Sequence, residues 1–144
     1  MTLASLDHVT ISTNDLEACR RFYCEVLGLE EGFRPSSPTA GFGVPGLWLY
    51  VGGQPVIHII AFEDDVGKGS QTVHHFAFNA HKFDAFKARL DKHGVKYMEN
   101  NIPEVEFYQL FFLDPQGIRI EVNFVGMDRP LRILQAEGKL EPVA

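Results

Sequence analysis

No run of like charge in this sequence exceeds three residues, and 13 Lys and Arg are outnumbered by 19 Asp and Glu, for a net charge of −6. A nucleic acid or an anionic membrane surface would want a basic patch, so neither is an expected partner. Apolar runs are no longer than a strand, which leaves nothing to span a bilayer. The opening MTLASLDH lacks the basic and apolar regions of a secretory signal. Cysteine is scarce, with only Cys19 and Cys24. Five residues apart on one helix, they diverge by about 140° around its axis and cannot readily bridge. Unpaired thiols without an export signal point to a reducing cytoplasm.

What is present is an ordinary globular composition, 45% hydrophobic and 22% charged over 144 residues. That is one domain's worth of chain with enough material for a core. Residues 5–12 alternate as a strand, with Leu6, His8 and Thr10 on one face. Thr13-Asn14-Asp15 offers N-cap chemistry for a helix from 15 to 27, and Gly28 stops it. A Pro/Gly/Ser-rich loop spans 31–46, long enough to act as a lid. Strands follow over 47–51 and 56–61. The polar stretch 63–70 reads as a linker. The second half repeats the order. The stretch 72–79 reads as a buried strand that opens with His74-His75. A helix covers 82–93, Val95–Met98 forms a strand, and Asn100-Asn101-Ile102-Pro103 turns. Strands over 107–113 and 118–124 flank the turn Asp114-Pro115-Gln116-Gly117. The tail, 126–144, carries a short helix over 131–137. The expected organisation is therefore a first module over 5–62, the linker, a second module over 71–125 and the tail.

The halves superimpose in sequence. His8 falls on His75 at an offset of 67 residues, and His58 falls on Glu121 at an offset of 63. Two related units would form a curved sheet over a central cavity, with His8, His58, His75 and Glu121 turned inward. Parity selects His75 over His74. A strand histidine alone is more often a hydrogen-bonded core residue than a ligand. A carboxylate among imidazoles, however, is costly to bury unless it is paired or metal-bound. Glu121 has Arg119 nearby as an alternative mate. The repeat-related set points instead to one divalent metal ion, with Mn, Fe, Co, Ni and Zn all suited to imidazole and carboxylate ligands. His58 stays open between a fourth ligand, a group hydrogen-bonded to a ligand and a catalytic acid/base.

LDHVTI, a helix ending FYxxVLGL, HHFAF and FLDPQGIRIEV together resemble the vicinal oxygen chelate superfamily. That group includes glyoxalase I, bleomycin-resistance proteins and extradiol dioxygenases. The resemblance spans about residues 5–125. It implies an α+β fold of two repeated βαβββ modules, a cupped, partly closed mixed sheet with helices outside, and commonly a homodimer. By position it implies His8, His75 and Glu121 as metal ligands. His58 stands where glyoxalase I has a glutamate general base, and that departure argues against glyoxalase I itself. The WLYVGGQPVIHI stretch is most like small bacterial glyoxalase-like proteins. The implied activity is a lyase, isomerase or ring-cleaving dioxygenase acting on a small substrate that chelates through adjacent oxygens, with Glu121 and His58 as its catalytic groups. The competing reading is a bleomycin-resistance-like protein that binds an aromatic ligand without turnover. For either, Trp48, Tyr50, Phe107, Tyr108, Phe111, Arg119 and Asn123 are the candidate pocket residues.

Overall fold

The computed structural model describes residues 5–34, 44–69, 72–102, 107–128 and 136–138. The chain divides into two compact units, Met1–Lys68 and Gly69–Ala144. Each unit runs strand, helix, three strands. In the first, β1 (Val9–Thr13), α1 (Leu16–Arg21), β2 (Glu30–Gly32), β3 (Gly46–Val51) and β4 (Gln54–Ala61) build a sheet in the order β1-β4-β3-β2. In the second, β5 (Phe76–Asn79), α2 (Phe83–Lys92), β6 (Tyr97–Ile102), β7 (Phe107–Leu113) and β8 (Arg119–Val125) follow the same plan, β5-β8-β7-β6. These are the expected paired βαβββ modules. Each has its own open four-stranded mixed sheet, with the first and last strands parallel and the other pairs antiparallel.

Local chemistry explains the boundaries. Asp15 caps α1 by accepting from the Ala18 amide at 2.9 Å. The helix continues as a π-helical turn over Phe22–Val26, closed by Leu27 N–H donating to the Phe22 carbonyl at 3.1 Å. Gly28, at φ 84°, lets the chain reverse, so that Leu29 N–H reaches back to the Tyr23 carbonyl. In the Asp114 turn, Gly117 N–H bonds the Asp114 carbonyl at 3.0 Å. The Asp114 carboxylate takes the Gln116 and Ile118 amides at 2.9 and 2.8 Å. That turn fixes the β7–β8 register, which sets Phe111 opposite Glu121.

Strand alternation divides each sheet into a helix face and an open face. Ile11, Leu47, Leu49, Ile57 and Ile59 are buried with Cys19, Phe22, Tyr23 and Val26 of the helical segment. Leu110, Phe112, Ile120, Val122 and Phe124 are buried with Phe83 and Leu90 of α2. Phe124 meets Phe83 and Phe86 edge-on at 5.0 and 5.7 Å. Neither cysteine is in a disulfide, and the Cys19 thiol donates to Thr13 Oγ1. Among the described residues no helix is long and apolar enough to cross a membrane.

Two expectations need correction. β6 runs through Asn100-Asn101-Ile102, where a turn was expected, because the Asn100 amide bonds Gln109 across the strand pair instead of its own backbone. The stretch from Thr72 to His75 is exposed and precedes β5, because pairing with β8 starts only at the Phe76–Ile120 rung. Residues 35–43 of the expected lid, Pro103 and most of the expected C-terminal helix lie outside the described residues.

Candidate functional site

The register aligns the two halves rung for rung. Thr10 pairs with His58 and Trp48 with His58, while Ala77 pairs with Glu121 and Phe111 with Glu121. His58 and Glu121 therefore occupy the same place on the open face of the same central strand in each unit. Each has a bulky aromatic beside it on one neighbouring strand and a small residue on the other.

In the first unit, Trp48 stacks on His58 with ring centroids 4.4 Å apart and planes 3° from parallel. His8 stands edge-on to Trp48 at 4.6 Å and to His58 at 6.3 Å. The Asp7 carboxylate lies 2.5 Å from His8 Nδ1. That contact fixes the orientation of the His8 ring. The Arg34 guanidinium donates to the Val44 carbonyl at 3.0 Å and sits against Gly46, on the next rung of the same face. A Cβ at Gly46 would run into the Ile59 carbonyl and lie 3.2 Å from Arg34 Nη2. Tyr50 donates to the Phe33 carbonyl at 2.8 Å.

Burial, first, and then the positive charge of Arg34 and His8 hold the His58 imidazolium below its usual range. The folded chain thus binds this proton less well than the unfolded chain. Neutral His58 contributes stability fully above the ordinary value near 6.5, and that contribution is lost as pH falls through the lowered one. Metal-stripped protein should therefore lose unfolding free energy as pH drops below about 6.5. His58→Phe should flatten that slope in denaturant titrations; an unaltered slope would remove His58 as its source.

In the second unit, His75 Nε2 lies 2.9 Å from Glu121 Oε2. Glu121 is buried, whereas His75 is the more exposed of the two. His75 Nδ1 is 2.8 Å from His74 Nδ1, so His74 steadies the ring of its neighbour. Gln109 donates to Glu121 Oε1 at 2.6 Å and to Asn123 Oδ1 at 3.1 Å. The side chain paired with Glu121 is thus His75, while Arg119 is exposed at the start of β8. Phe107, Phe111 and Asn123 lie on the same open face as Glu121, with the Phe111 ring 6.2 Å from that of His75. Tyr108 does not belong there. It pairs with Phe124 and is 1% exposed on the helix face, one residue out of phase with the lining.

Within the units, the structure brings His8 to His58 and His75 to Glu121. Among the described residues no group of three or more His, Cys, Asp or Glu is close enough to hold a metal ion. The donor types still fit one. An imidazole nitrogen and a carboxylate oxygen converge in one half, and each has a further polar partner at its other ring or carboxylate atom. Sequence reading passed over Gln109, Asn100 and Asp7. The signal for Gln109 was its position two residues before Phe111, which puts it on the Glu121 face of β7.

A family profile described as the Glyoxalase/Bleomycin resistance protein/Dioxygenase superfamily matches residues 5–122. Glyoxylase I 4 of Arabidopsis thaliana is 28% identical over 127 residues, covering 83% of this chain and 70% of that protein. The uncharacterized protein YaeR of Escherichia coli K12 is 28% identical over 131 residues, covering 83% of this chain and 95% of YaeR. A crystal structure of a glyoxalase family protein from Bacillus anthracis superposes with a TM-score of 0.67 at 28% identity, covering 88% of this chain and 98% of that one.

Proposed function

The chain belongs to the glyoxalase/bleomycin resistance protein/dioxygenase superfamily, and on that premise we propose that it is a divalent-metal-dependent enzyme acting on a small substrate with adjacent oxygens. His8, His75 and Glu121 are its metal ligands, and the ion is Fe, Mn, Ni, Co or Zn. The observation that carries the reading is the convergence of His75 Nε2 and Glu121 Oε2 at 2.9 Å. A bound divalent ion supplies positive charge that stabilises negative charge developing on the substrate oxygens.

The remaining chemistry belongs to side chains. Asp7 orients the His8 ring through Nδ1. His58 is buried, held neutral and stacked on Trp48, which suits it to take and return a proton at a substrate carbon. Proton transfer of that kind favours lyase or isomerase chemistry over ring cleavage. Trp48, Phe107 and Phe111 offer apolar surface, and Asn123 offers an amide donor. The protein works as a cytoplasmic homodimer.

Metal analysis of protein purified without chelator tests the reading. About one equivalent of transition metal per chain is expected. Less than about a tenth of an equivalent, with no rebinding after stripping, would leave the aromatic-ligand binding protein as the better account.

A further inference from the structure

We propose that Gln109 is a positioning residue that fixes Glu121 to offer one oxygen, Oε2, to the metal, with Asn100 fixing Gln109 in turn. The proposal rests on the metal-dependent reading and names residues that reading does not use. A carboxylate oxygen only accepts, so the Gln109 nitrogen must face Glu121 Oε1, 2.6 Å away. The Gln109 oxygen must then face the other way, where Asn100 Nδ2 donates to it at 2.7 Å. The second Gln109 N–H goes to Asn123 Oδ1 at 3.1 Å. Both protons of the amide and one lone pair of its oxygen are committed, and Gln109 is buried, so the group has one orientation.

The consequence falls on Glu121. With Oε1 tied to Gln109, the carboxylate cannot swing both oxygens toward His75. Only Oε2 stands on that side, 2.9 Å from Nε2. The bond from Gln109 also fixes which end of the Asn123 amide faces it, the oxygen.

The fold does not require this arrangement. Asn100, Gln109, Asn123 and Asn79 form one rung across all four strands of the second sheet. At the offset of 63, the first unit has Gly46 and Ile60 where the second has Gln109 and Asn123, and those two also pair. The same βαβββ plan is therefore built with no amides on that rung. A row that buries two of its amides, Gln109 and Asn123, costs free energy unless those two are bonded. Its presence only beside Glu121 ties it to the carboxylate and not to the architecture.

The test uses metal-stripped full-length protein and Co2+ alone as the probe, with Gln109→Met and Asn100→Ala as variants. Affinity is read by competition with a chromophoric chelator. Carboxylate ligation is read from the separation of its two stretching bands in metal-bound minus metal-free infrared spectra. Gln109→Met should weaken Co2+ about 10- to 100-fold and shift the bands toward two-oxygen binding. Asn100→Ala should move both readouts the same way by less. Because Asn100 is exposed, that variant carries the test if Gln109→Met fails to fold. Affinities within about 2-fold of wild type in the folded variants, with unshifted bands, would overturn the role, since outer partners of metal ligands contribute more than that. Wild-type protein that binds no Co2+ would instead overturn the metal-dependent reading itself.

Discussion

Glu121→Gln should strip the protein of its metal while leaving the fold in place. The substitution conserves shape, and a glutamine carbonyl can still accept from Gln109, so the hydrogen bond at Oε1 survives. What disappears is the negative charge beside His75 Nε2. A neutral amide oxygen is a far poorer ligand for a divalent ion than a carboxylate. The loss should exceed the ~10–100-fold typical of residues that only support a ligand. His75→Ala should behave alike, because it removes the facing imidazole from an exposed position where truncation costs little packing. Calorimetric titration of both variants, checked by circular dichroism for folding, reads the outcome. Wild-type occupancy in both would mean that the metal lies elsewhere.

On the other side of the same strand, Phe124→Ala should act on stability alone. Phe124 is fully buried and meets Phe83 and Phe86 of α2 edge-on. Truncating a buried phenylalanine removes its transfer energy and leaves a cavity, together about 3–5 kcal/mol. In urea, the midpoint should fall with an unchanged slope. Metal affinity of the folded fraction should stay near wild type, since Phe124 lies on the helix face while Glu121 and Asn123 lie on the other. A loss below about 1 kcal/mol would show that α2 does not pack on this face as described.

Most of the fold was legible because strand alternation and turn chemistry are local. Val9-Thr10-Ile11 alternates, Asp15 caps, Gly28 stops, and Asp114-Pro115-Gln116-Gly117 turns as its composition requires. The offsets of 67 and 63 held to the level of register, with Thr10 on His58 mirrored by Ala77 on Glu121. Tyr108 was misassigned because aromatic character was weighed ahead of parity, which puts it on the helix side with Phe124. Asn100 was misread as a turn residue because its side-chain partner lies on another strand. Gln109 was passed over for the same reason. A glutamine inside Phe107-Tyr108-Gln109-Leu110-Phe111 shares the face of Phe111 by parity, but its importance comes only from what stands opposite.

The alternation that separates the two faces also separates what can vary. Residues 120, 122 and 124 are committed to the helix, while 119, 121, 123 and 125 are not. A position such as 58 can therefore exchange one polar group for another without disturbing Ile57 or Ile59, which hold the core on either side. Duplication doubles that freedom, because each copy keeps its own core and each can lose or gain a donor independently. Histidine at one copy and glutamate at the other is what such a scaffold permits. New chemistry can arise on this chain by editing every second letter of two strands.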